Sequence, residues 1–113
     1  MATERRNFTK EEIEATWKKA VIQPNNNPDV FRKDYAGAWI KKEDYGNVNS
    51  IYGWEIDHLN PLENNGDYNQ ENLYPLHWKN NRKKDKNYPE WQTEISSEGV
   101  ENIVKIQNWY IKE

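Results

Sequence analysis

Apolar residues at Ile13, Trp17, Ala20 and Val21 recur at i, i+4, i+7 and i+8, which is one face of a helix. Just before them, Thr9-Lys10-Glu11-Glu12 reads as a capping box, with Thr9 as the cap and Glu12 reaching back to it. Pro24 and the Asn25-Asn26-Asn27-Pro28 stretch close the pattern, which predicts a helix over about 10–22. From 29 to 53 the anchors Phe31, Tyr35, Trp39 and Ile40 follow no single period. Ala38 to Lys41 reads as a short strand, and Tyr45-Gly46-Asn47 and Tyr52-Gly53 as turns. Trp54 to Leu59 alternates imperfectly and reads as a strand. Leu62 to Glu71 is a loop with its tip at Asn65-Gly66. Asn72 to Leu76 is a short returning strand that Pro75 confines to an edge. His77 to about Lys86 reads as a basic helix that stops near Asn87-Tyr88-Pro89. A last helix is expected over about 98–112, with Val100, Ile103, Val104, Tyr110 and Ile111 on one stripe and Ser96 or Ser97 as its cap.

Composition changes this picture in one respect. At 113 residues the chain is one domain by length. It is 35% hydrophobic and 31% charged, with a mean hydropathy of −1.28, which is poor material for a core. Six Trp, seven Tyr and two Phe repair that deficit, because each aromatic side chain buries roughly 150–250 Å². Trp17, Trp39, Trp91 and Trp109 are the expected anchors. No run of apolar residues is long enough for a membrane span, and Met1 to Lys10 has no apolar segment of the secretory type. Cysteine is absent, so disulfides, thiol catalysis and Cys-based zinc knuckles are excluded. A cytoplasmic, reducing address is expected. The net charge of −3 means that any polyanion site is a local patch. The densest basic stretch is Lys79, Arg82, Lys83, Lys84 and Lys86 against the single Asp85.

Candidate chemistry gathers around this stretch. Asp57 and His58 are adjacent at a strand end, Asn72 follows 14 residues after His58, and Asn81 lies nine beyond that. A hairpin with a helix folded across it brings all four together. An aspartate and an amide oxygen are hard ligands suited to Mg²⁺ or Mn²⁺. A neutral imidazole is the natural base for activating water, and an Asn can hold the imidazole or the loop in place. Metal, base and adjacent cations together read as phosphodiester hydrolysis. Taken singly, each residue has a plainer reading: a solvated turn for Asp57-His58, a loop hydrogen-bonder for Asn72, a surface helix position for Asn81, and a solvated helix face for the lysines.

Glu55-Ile56-Asp57-His58-Leu59-Asn60-Pro61, the Asn65-Gly66-Asp67 loop, Asn72-Leu73, Leu76 and Asn81-Arg82-Lys83-Lys84 resemble the HNH endonuclease motif in its H-N-N form. The resemblance covers about 54–86. It implies an α+β fold: a small ββα-metal (His-Me finger) core flanked by the N-terminal and C-terminal helices. It also implies His58 as general base, Asn72 as the residue that orients it, and Asp57 and Asn81 as ligands of one divalent cation, Mg²⁺ or Mn²⁺. Many members carry paired cysteines for a structural zinc; none is expected here. Asn80 is the alternative ligand if the helix register differs.

Lys79, Arg82, Lys83 and Lys84 are the expected nucleic-acid contacts, with Trp78 a candidate for stacking. His77 is read as structural or phosphate-contacting, with a ligand role open. Glu55 shares a strand face with Asp57 and is read as a framework or supporting carboxylate. The expected partner is DNA, or RNA by the same chemistry. Double-strand cutting requires a homodimer or larger assembly. The rival reading is a catalytically silent nucleic-acid-binding module.

Overall fold

The computed structural model describes residues 6–112. The order is α1 (Lys10–Trp17), β1 (Phe31–Lys33), β2 (Trp39–Lys41), β3 (Trp54–His58), β4 (Leu73–His77), α2 (Trp78–Lys84), β5 (Glu90–Glu98) and β6 (Glu101–Tyr110), with three single 3₁₀ turns at Lys42–Asp44, Leu62–Asn64 and Gln70–Asn72. The strands pair as three separate antiparallel hairpins: β1 with β2, β3 with β4, and β5 with β6. The expected class, a ββα-metal core between two flanking helices, is therefore corrected to small antiparallel hairpins with two short helices.

The largest correction is at the C-terminus. Residues 98–112 do not form a helix; most of them are β6, the return strand of the longest hairpin. Three local facts favour the strand. Trp91, Thr93 and Ile95 alternate as buried positions along β5. The segment after them is rich in β-branched and aromatic residues, which fit a pleated surface. Gly99 takes φ +61° in the two-residue connection between the paired Glu98 and Glu101, a backbone that hairpin turns require. The supposed helical stripe is not a core face, since Val100, Val104 and Tyr110 are exposed.

The N-terminal helix is real but ends at Trp17. Its capping box is complete: the Glu12 N–H donates to Thr9 Oγ1 at 3.1 Å, and the Thr9 N–H donates to Glu12 Oε1 at 2.9 Å. Beyond Trp17 the ladder tightens to three-residue spacing, the Lys19 N–H donating to Thr16 O and the Ala20 N–H to Trp17 O, and the buried Arg32 takes carbonyls further on. Arg32 donates to Lys18 O, Ala20 O and Pro28 O. The chain then turns, and Val21 exchanges backbone hydrogen bonds with Lys33.

The core consists of Trp17, Ala20, Ile40, Trp54, Ile56 and Leu73, with Phe8, Ile13 and Tyr45 packed around it. Trp17 and Trp54 lie 5.4 Å apart, ring centre to ring centre. Helix α2 bonds to β3 through Asn81, Arg82 and Lys84, and to β5 through Asn80. It thereby joins the β3–β4 hairpin to the C-terminal hairpin. Among the described residues, no helix is long and apolar enough to cross a membrane.

Candidate functional site

Strand β3 sets the geometry. Glu55 and Asp57, two residues apart, both engage α2. Glu55 accepts from Asn81 Nδ2 at 3.0 Å and is gripped by the Arg82 guanidinium at 3.0 and 3.3 Å. This contact holds the Arg82 pKa above its ordinary value. Asp57 is 4% exposed and lies 3.3 Å from the ammonium of Lys84.

His58 is 5% exposed. Tyr68 stands perpendicular to its ring at 4.7 Å, and Phe8 packs against it tilted by 39° at 5.6 Å. Asp57, His58 and Asn81 line one cleft of about 170 Å³, together with Ile56, Pro61, Arg82 and Asp85. Asn81 uses its Nδ2 on Glu55, so its side-chain oxygen is not the atom that this bond occupies.

Asn72 acts on backbone. Its Oδ1 accepts from the Asn60 N–H at 2.8 Å, while its Nδ2 donates to Asn60 O at 3.0 Å and Asp67 O at 2.9 Å. Its own carbonyl accepts from the Leu59 N–H. One amide thus clasps the loop immediately after His58. Gly66 closes the loop from the other side, because a Cβ there would lie 1.7 Å from Asn60 O.

Two expected site residues fall elsewhere. Lys84 is fully buried, its Nζ donating to His58 O and Leu59 O beside Asp57. It is an internal cation rather than a phosphate contact. Lys79, Arg82 and Lys83 are exposed on the same helix, as nucleic-acid contact requires. His77 is 2% exposed, and both its ring nitrogens are used: Nδ1 accepts from the Lys79 N–H, so Nε2–H donates to Ile51 O at 2.9 Å. Burial lowers its pKa. With that tautomer fixed it caps α2 and has no lone pair left for a metal.

Asn80, the alternative ligand, is fully buried. It donates to Asp34 Oδ2 and Ile95 O and accepts from the Glu94 and Ile95 N–H groups, so the alternative falls to Asn81. Trp78 is half-buried and donates Nε1–H to Ser50 O. Lys79 and Arg82 lie 5.5 and 6.0 Å from its ring.

Sequence reading missed Phe8 and Tyr68, which enclose the imidazole, and Asp34. The Asp34 carboxylate is 1% exposed and accepts from the Ala36, Ala38 and His77 N–H groups and from Asn80. Desolvation pushes its pKa up to about 6, although these donors oppose the shift. No periodicity marks Asp34, since two of its partners lie in its own turn and the other two, His77 and Asn80, more than forty positions away.

Among the described residues no three His, Asp or Glu side chains gather in a metal-holding group. The residues lining the cleft instead offer the carboxylates of Asp57 and Asp85, the amide of Asn81 and the imidazole of His58. That set fits a hard cation that keeps much of its water and takes one or two protein oxygens. No family model, curated protein or solved structure matches the chain.

Proposed function

We propose that the chain is a metal-dependent endonuclease of the HNH type that hydrolyses phosphodiester bonds in DNA. The observation that carries this reading is the convergence of Asp57, His58 and Asn81 on one cleft, beside the exposed cations of α2.

In this reading Asp57 and Asn81 would hold one Mg²⁺ or Mn²⁺, which supplies charge stabilisation at the phosphate when bound. His58 takes the proton from the attacking water. Tyr68 and Phe8 restrict its ring, and Asn72 fixes the loop that follows it. The Lys84 ammonium stands 3.3 Å from Asp57 Oδ1 and helps to hold that carboxylate in place at the cleft. Arg82, Lys79 and Lys83 hold neighbouring phosphates. A cytoplasmic setting belongs to the same proposal.

The test is supercoiled plasmid incubated with Mg²⁺ or Mn²⁺, with and without EDTA, for the wild type and His58→Ala. Metal-dependent nicking by the wild type and none above background by the variant is the expected result. Equal nicking by the two proteins would remove His58 from its role.

One observation favours the silent binding module: the buried Lys84 already gives Asp57 a cation. On that reading, plasmid is bound and never cut at any metal concentration.

A further inference from the structure

A second, larger groove of about 570 Å³ adjoins the cleft, with Arg6, Phe8, Tyr45, Glu55, Asn81 and Arg82 on its walls. The two spaces share Ile56, Asn81 and Arg82, so a strand with one phosphate in the cleft carries its next nucleotide into the groove. We propose that this groove is a binding subsite for one unpaired nucleotide, its base against the rings of Phe8 and Tyr45 and its backbone between Arg6 and Arg82. The proposal rests on the nuclease reading only for what occupies the cleft.

Three features point to a nucleoside rather than to a second bare phosphate. The volume falls in the range of sites that enclose a single small organic group, not a paired duplex. The charges at its rim are balanced: Arg6 is held by Glu12 at 2.7 and 2.8 Å, and Arg82 by Glu55. Between them lie two aromatic rings and, from Glu55 and Asn81, polar groups able to meet a base edge.

The wall is also built in advance. The Arg6 N–H donates to Tyr68 Oη at 3.0 Å, the Arg6 guanidinium lies 4.1 Å from the Tyr68 ring centre, and Glu12 belongs to the capping box of α1. Little ordering cost is left for the ligand to meet.

The test is fluorescence anisotropy of a short labelled oligodeoxynucleotide, as a single strand and as a blunt duplex, in EDTA so that cleavage plays no part. Single-strand binding is expected to be at least ~5-fold tighter than duplex binding, because a sequence-tolerant stack on an aromatic ring is open only to an unpaired base. Phe8→Ala should weaken single-strand binding about tenfold, and Arg6→Gln, on an exposed side chain, about threefold. Lys105→Gln, on the exposed face of β6, should change nothing.

If Phe8→Ala unfolds the chain, Tyr45→Leu and Arg6→Gln decide. Duplex bound as tightly as single strand, or single-strand affinity untouched by the folded variants, overturns the subsite. A wild type that prefers the single strand in this way but never nicks plasmid removes the nuclease reading and keeps the subsite. One that nicks plasmid while blind to these substitutions does the reverse.

Discussion

The molecule contains two trios of aspartate, histidine and asparagine, each drawing its histidine from the β3–β4 hairpin and its asparagine from α2. Asp34, His77 and Asn80 form one; Asp57, His58 and Asn81 form the other. The first is locked. Asp34 accepts four hydrogen bonds, His77 uses both ring nitrogens, and Asn80 makes four bonds in full burial. It ties the β1–β2 turn, the start of α2 and β5 into one body. The second trio lines a cleft, and its asparagine spends one side-chain donor on Glu55. Identical residue types one helix position apart, Asn80 and Asn81, thus separate into a structural tie and a candidate ligand. Residue type marks what a side chain is able to do, and its bonding state decides whether that capacity is already used.

The sharpest way to break this contrast is to exchange the histidines' fates. His58→Ala should cut plasmid nicking by about 10²–10⁴-fold, the usual range for a positioned general base, while keeping DNA binding intact. His77→Ala should do the opposite. It removes the α2 cap and the bond to Ile51 O, so the chain should lose about 1–3 kcal/mol of stability, while the protein that stays folded should nick at wild-type rates. Melting curves and plasmid assays on both variants check this. Loss of activity in folded His77→Ala at full stability would reverse the roles.

Lys84 is where the cleft borrows from the buried interior. Lys84→Met should cost about 3–5 kcal/mol, because it leaves the Asp57 carboxylate buried without its ammonium. Its neighbour Lys83, exposed, should tolerate the same change within about 0.5 kcal/mol. Chemical denaturation of the two variants measures the difference directly. Similar values for both would mean that the Lys84–Asp57 pair carries little of the fold.

The asparagines give a smaller contrast of the same kind. Asn80→Ala strands the Glu94 and Ile95 N–H groups and removes one of the two donors to Asp34 Oδ2, at about 2–3 kcal/mol. Asn81→Ala should leave stability within about 1 kcal/mol and raise the metal concentration needed for nicking. A metal titration unchanged by Asn81→Ala would withdraw it as a ligand.

Much of the cleft was legible because its parts lie within one local stretch. Asp57 and His58 end a strand, and the HNH resemblance together with helix spacing singled out Asn81; these three line the cleft, whereas Asn72, read with them, bonds the loop backbone instead. The locked trio was not legible. Asp34 meets His77 and Asn80 across more than forty positions, and no periodic signal marks such a contact. The burial of Lys84 was hidden for a related reason. In a run of four cations on one short helix, only the packing of α2 between β3 and β5 determines which one points inward. The C-terminal hairpin failed differently. Val100, Ile103, Val104 and Tyr110 satisfy a helical stripe about as well as a strand, and the tie is broken by β5, which supplies a partner. The capping box, by contrast, needs only four consecutive residues, and it formed as read.

The smallest expected effect is the pH dependence of the locked trio, because its two titrating members oppose each other. Asp34 is raised from 3.8 to about 6 by desolvation, so its contribution favours folding below the unfolded value and is lost as pH rises through about 6. His77 is lowered from 6.5, chiefly by burial, so its contribution is present above the unfolded value and is lost as pH falls below it. Where both groups titrate the two slopes have opposite signs, so in the wild type each offsets part of the other. His77→Asn can still cap α2 but does not titrate, so it should uncover the aspartate alone. Denaturant midpoints of that variant should fall as pH rises from about 4 to about 6, more steeply than those of the wild type. Parallel pH profiles for the two proteins would show that Asp34 stays ionised in the interior, held there by its four donors.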